Sequence, residues 1–151
     1  MSNITDHSLG TPVEIALSYG YPIKGSKTKK IFDGSGQKIG IVDNGSQWNK
    51  ETCLKNLQNM GVDFPAENLI EVSVGNAQTG GFVETQEDVD IVASICSKAT
   101  IIVYSGETSA IIEQAIKDDV TVLTSSWGWN METVEEKNDP AEIDKIEAAL
   151  K

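Results

Sequence analysis

From residue 38 onward, short apolar runs alternate with amphipathic stretches. Lys38-Ile39-Gly40-Ile41-Val42-Asp43 reads as a strand that ends at the turn Asn44-Gly45. Asn49 to Met60 carries Cys53, Leu54, Leu57 and Met60 at helical spacing, and Gly61 closes it. Leu69 to Val74 is a second strand, followed by a flexible loop from Gly75 to Gly81. Glu84 to Cys96 reads as a helix with Val89, Val92, Ile95 and Cys96 on its apolar side. Thr100-Ile101-Ile102-Val103-Tyr104 is a continuous apolar run, the pattern of a strand covered on both faces. Ser109 to Lys117 is a helix, Val120 to Thr124 a fourth strand, and Pro140 to Leu150 a last helix with Ile143, Ile146 and Leu150 on one side. The alternation predicts an α/β fold, a mostly parallel sheet with helices on both faces.

The upstream part is organised differently. Residues 1–11 read as a tail, and the domain spans 12–151. Thr11 is placed to cap a short helix from Pro12 to Leu17, with proline at the first helical position and Gly20 and Pro22 stopping it. Residues 24–37, rich in Lys, Gly and Ser, form an exposed loop containing the turn signal Asp33-Gly34-Ser35-Gly36. In parallel sheets, reacting groups and ligands gather outside the carboxyl ends of the strands. That singles out Asp43 to Ser46, Gly75 to Gly81, Ser105 to Ser109 and Ser125 to Trp129.

Composition narrows the chemistry. The 151 residues hold 12 basic side chains, all Lys, against 23 acidic ones, a net charge of −11. Such a balance argues against nucleic acid as a partner, since affinity for a phosphate backbone comes from Lys and Arg releasing counterions. No apolar stretch approaches the ~20 residues of a membrane span, and the first residues carry neither a basic start nor an apolar segment. Cys53 and Cys96 lie far apart, in apolar surroundings on predicted helices, and read as buried free thiols. With His7 the sole histidine, in the polar tail, neither a histidine-based catalytic triad nor a metal site is expected, and no cofactor is implied. The glycines of residues 75–81 lack the spacing of a nucleotide-binding loop. The acidic segment 132–147, with seven carboxylates against Lys137 and Lys145, reads as a solvated helix face and loop.

Several segments, in order, carry a resemblance. They are Ile15-Ala16-Leu17-Ser18-Tyr19-Gly20-Tyr21-Pro22, Gly34-Ser35-Gly36-Gln37-Lys38-Ile39-Gly40-Ile41-Val42, Glu84-Thr85-Gln86-Glu87-Asp88, Ala99-Thr100-Ile101-Ile102-Val103-Tyr104 and Ser125-Ser126-Trp127-Gly128. Together they resemble the sedolisins, serine-carboxyl peptidases that share the subtilisin fold. The third matches the family's Glu-x-x-x-Asp catalytic helix and the fifth its Ser-x-Ser-Trp-Gly strand end. Residues four apart on a helix share a face, so Glu84 and Asp88 are placed to act as a carboxylate pair sharing a proton. The resemblance implies that Glu84 is the general base for a serine nucleophile and that Asp88 supports it. It also implies that Asp43 and Trp127 extend their hydrogen-bond network. The family typically has Glu where this chain has Asp43. Asp43-Asn44-Gly45 also looks like the Asp-x-Gly of ordinary subtilisins, whose histidine motif is absent here.

The resemblance covers the N-terminal half of a sedolisin catalytic domain. The family's nucleophile motif Gly-Thr-Ser, its oxyanion Asp and its calcium site belong to the other half. Ser105-Gly106-Glu107-Thr108-Ser109-Ala110 superficially resembles the nucleophile motif. It follows the third strand, however, and Thr108 or Ser109 as a helix N-cap accounts for it. The expectation is a truncated, subtilisin-like half-domain that is not a peptidase alone. It would serve as a structural or interaction subunit of a larger assembly, such as a viral particle, with a protein partner or further copies of itself. The alternative is a fragment or split half of an acid-acting peptidase that supplies Glu84 and Asp88.

Overall fold

The computed structural model describes residues 10–75 and 83–127, together with 144, 145, 147 and 148. The expected tail up to residue 9, most of the loop 75–81 and the segment from Gly128 to Ile143 lie outside the described residues. Of the last predicted helix, Asp144, Lys145, Glu147 and Ala148 are described, and they are helical and exposed.

The elements follow the expected order. Helix α1 (Pro12–Ser18) opens with a full capping box. The Thr11 hydroxyl accepts from the Glu14 backbone N–H, and the Glu14 carboxylate accepts from the Thr11 N–H at 2.7 Å. Strand β1 (Lys38–Asp43) leads to α2 (Lys50–Asn59), whose cap is Asn49, and a short 3-10 turn precedes β2 (Leu69–Val74). Then come α3 (Glu84–Ile95), β3 (Thr100–Gly106), α4 (Thr108–Lys117) and β4 (Val122–Thr124). The sheet has the order β2-β3-β1-β4, and every pairing is parallel. The α/β architecture with a parallel sheet is as predicted.

Alternation along the central strands splits the core in two. Ile41, Ile101 and Val103 face α2 and α3 and pack with Cys53, Leu57, Leu69, Val89 and Ala93. Val42, Ile102 and Tyr104 face α4 and pack with Ile111 and Ala115. Each large side chain in these clusters contributes about 1.5–3 kcal/mol by leaving water. Two glycines permit the packing. A Cβ on Gly106 would lie 1.7 Å from the Val74 carbonyl oxygen, so only glycine lets β3 pass that strand. A Cβ on Gly40 would lie 2.7 Å from Leu123 Cδ1 and 3.1 Å from Tyr104 Cε2, so its absence lets the Tyr104 ring lie over β1. The Tyr104 hydroxyl donates to Asp118 at 2.8 Å. Burial, and then the Asp118 carboxylate, push its pKa up.

One local expectation is corrected. Neither Thr108 nor Ser109 caps α4; the cap position belongs to Glu107, which makes no side-chain capping bond. The extended backbone at Glu107 starts the helix one residue earlier than the pattern suggested, and both hydroxyl residues are buried inside the first turn.

Candidate functional site

The carboxyl end of the sheet is where the polar chemistry collects. Asp43 closes β1 and lies in register with Ser105 of β3. By alternation it shares a face with Ile41, the face covered by α3, and it is 4% exposed. Both of its oxygens are hydrogen-bonded. One accepts from the Ser46 backbone N–H at 2.8 Å and from the Thr85 hydroxyl at 2.9 Å. The other accepts from the Ser105 hydroxyl at 2.7 Å. The Ser46 bond ties the Asn44-Gly45 turn back onto the side chain that precedes it, and Gly45 takes the positive φ of 101° that the turn needs. Thr85 stands in the first turn of α3, so the carboxylate also faces the positive end of that helix. Three donors and a helix terminus are what a buried carboxylate requires to stay in place.

The predicted pair sits beside this network. Glu84 and Asp88 are both half-buried on α3. The connection from Asp43 to α3 runs through Thr85, and no donor among the described residues bonds the Glu84 carboxylate. Asp88 accepts from the Ser126 hydroxyl at 2.7 Å. Its other oxygen, Oδ2, is buried and has no hydrogen-bond partner among the described residues. Trp127 packs against the cluster of Val42, Tyr104 and Ile111, which belongs to the α4 face of the sheet. The segment leaving β4 thus reaches α3 through Ser126 and the opposite core through Trp127.

Of the four sequence-predicted site residues, Asp43 and the α3 carboxylates are therefore neighbours through Thr85. Trp127 belongs with the packing of the other face. Ser46 falls in the expected strand-end stretch Asp43 to Ser46, whereas a role for Thr85 was not anticipated. The signal for Thr85 lies in the stripe Thr85, Val89 and Ala93, spaced by four and fully buried, in which the threonine takes the place of an apolar residue.

A second polar network joins α2 to α3. The Asn56 side-chain amide donates to Asp90 at 2.7 Å, Gln86 donates to the Cys53 sulfur, and the Asn49 backbone N–H donates to Gln86 at 3.2 Å. Burial, reinforced by the Asp90 carboxylate, pushes the Cys53 thiol up to about 12, so it carries no nucleophilic thiolate at neutral pH. Both cysteines are free thiols; Cys53 is buried as expected, whereas Cys96 is only partly covered at the end of α3. Among the described residues no group of three or more acidic, Cys or His side chains is placed to hold a metal ion.

The sequence matches no protein-family model and none of the curated proteins it was compared with.

Proposed function

We propose that the chain is a sedolisin-related, non-catalytic interaction subunit of a larger assembly. One observation carries the reading. Where the resemblance puts a proton-relay carboxylate, Asp43 is a closed structural lock whose oxygens are occupied by Ser46, Thr85 and Ser105. Two hydroxyls that border the site, Thr85 and Ser105, serve as donors to that lock, and the Glu84 base has no hydroxyl bonded to it among the described residues. The edge strand β4, which pairs only with β1 among the described residues, offers an edge on which another chain can add. The test is hydrolysis of unstructured peptide by the pure chain at acidic pH. No turnover, with Glu84→Gln indistinguishable from the parent, is the expected result; turnover abolished by Glu84→Gln overturns the reading.

A second reading is favoured by Asp88. Its buried, unpartnered Oδ2 and its bond to Ser126 leave a carboxylate at the strand-end rim with capacity to spare. A partner chain supplying a serine nucleophile would make Glu84 and Asp88 working groups of an acid-acting peptidase. Restoration of cleavage on adding such a partner, lost in Asp88→Asn, distinguishes this reading from the first.

A further inference from the structure

The net charge of −11 hides a local reversal. Between Ile15 and Phe32 there is no acidic residue, and Lys24, Lys27, Lys29 and Lys30 stand within seven positions. All four are exposed, and none forms an ion pair among the described residues. The loop that bears them is held in shape. The Phe32 N–H donates to the Pro22 carbonyl at 2.7 Å, the Thr28 hydroxyl donates to the Lys30 carbonyl at 3.0 Å, and the Lys98 N–H donates to the Asp33 carbonyl at 2.8 Å. Under the lysines the surface is apolar. Tyr21, Ile31 and Phe32 are each about half exposed, and Lys30 lies 4.9 Å from the Phe32 ring centre. Beside them opens a cavity of about 220 Å³ whose lining includes Val13, Ile23, Ile31, Phe32 and Lys24, together with Asp33 and the Asp63–Lys98 ion pair. That exceeds the ~150 Å³ that accommodates a benzene-sized apolar group.

The complementary element is in the same sequence. Residues 132–147 carry seven carboxylates against two lysines, and the run continues into the apolar stripe Ile143, Ile146 and Leu150. The four described residues of this segment, Asp144, Lys145, Glu147 and Ala148, are all exposed. We propose that the lysine-rich, apolar-floored surface around residues 21–32 receives the acidic C-terminal segment, residues 132–150, of a second copy of the chain. The lysines meet the carboxylates, and an aliphatic side chain of the stripe enters the cavity. This deepens the reading of the chain as an assembly subunit and rests on it. Opposite charges steer the encounter and fix its direction, while the apolar floor supplies the burial that exposed ion pairs lack.

Sedimentation equilibrium of the full chain tests this. Self-association is expected, weakened at least tenfold between about 0.05 and about 0.5 M salt as screening shortens the reach of exposed charges. A variant with Lys24→Glu, Lys27→Glu, Lys29→Glu and Lys30→Glu is expected to be monomeric. So is one with Glu135→Lys, Glu136→Lys, Glu142→Lys and Glu147→Lys, each with the circular dichroism of the parent. Mixing the two restores association, because each reversed surface then meets a reversed segment. A parent chain that stays monomeric at every concentration, an association indifferent to both reversals, or binding of a monomeric chain to phosphatidylserine vesicles through the four lysines would overturn the proposal. None of these outcomes touches the peptide-hydrolysis test, so the failure of this surface and the failure of the non-catalytic reading are separable.

Discussion

Asp43 and Asp88 are two aspartates at the same end of the molecule, and they live in different regimes. Asp43 ends a central strand, is 4% exposed and holds three donors drawn from β1's own turn, α3 and β3. Asp88 sits one helical turn inside α3, is half-buried, and holds a single hydroxyl from Ser126, which is itself exposed. The first binds three elements of the fold together. The second touches one neighbour and keeps a buried oxygen unpartnered among the described residues. A carboxylate with both oxygens bonded by the fold has been committed to structure. One with capacity remaining is open to a partner or to chemistry.

The sharpest way to break this contrast is to truncate both. Asp43→Ala strands the buried Thr85 hydroxyl and releases the Ser46 N–H and the Ser105 hydroxyl, and bonds to an ionised group are the strong ones. The expected loss is about 3 kcal/mol in urea denaturation. Asp88→Ala removes one exposed hydroxyl bond and one unpartnered oxygen, and is expected to change stability by no more than about 0.5 kcal/mol. Equal losses at the two positions would mean that the three-donor lock has no special role.

Thr85→Val sharpens the comparison from the other side. The shape is nearly kept, the hydroxyl is lost, and Asp43 keeps two of its three donors. About 1.5 kcal/mol is expected to go, with Thr85→Ser recovering most of it. If valine is as stable as threonine, the link between β1 and α3 is carried by packing alone.

These residues also show where sequence reading succeeds and stops. Strands β1 and β2 are predicted residue for residue, because Ile39, Ile41 and Val42 or Leu69, Ile70 and Val72 leave little choice of period. Helices α2 and α3 are off by a residue at their ends, where capping rather than periodicity decides. The buried face of α3 is harder. The apolar residues Val89, Val92, Ile95 and Cys96 suggest one stripe, yet Thr85, Val89, Ala93 and Ser94 are the buried ones and Ile91 is 46% exposed. Burying Thr85 makes sense only once Asp43 is beside it, and that contact spans 42 positions of sequence. Local patterns report which way a helix turns; they do not report which distant carboxylate will satisfy a hydroxyl. The same limit applies to Glu84 and Asp88. Their spacing puts them on one face, but whether the strand-end acid reaches them or their neighbour depends on the tertiary register of β1 against α3.

A third carboxylate extends the contrast to pH. Asp90, in the polar network between α2 and α3, is held above the ordinary value of 3.8 chiefly by burial. The bonds from Asn56 and Gln86 pull it back in part, while the Glu87 charge adds to the rise. A raised folded-state pKa means that the native chain binds a proton more tightly than the unfolded one does. Stability attributable to Asp90 is then complete at pH below the ordinary carboxylate value and is lost as pH rises through the elevated one. The chain carries 22 other acidic side chains, so the informative quantity is the parent minus Asp90→Asn. That difference is expected to favour the parent progressively as pH falls from neutrality toward 3.8, measured by urea midpoints at matched ionic strength. A difference that is flat with pH would mean that Asp90 ionises as it does in the unfolded chain and that water reaches it freely. A difference that runs the opposite way would mean that the amides of Asn56 and Gln86 outweigh the desolvation. Asp90 would then behave as a locked carboxylate, and half-burial at α3 would no longer separate open carboxylates from committed ones.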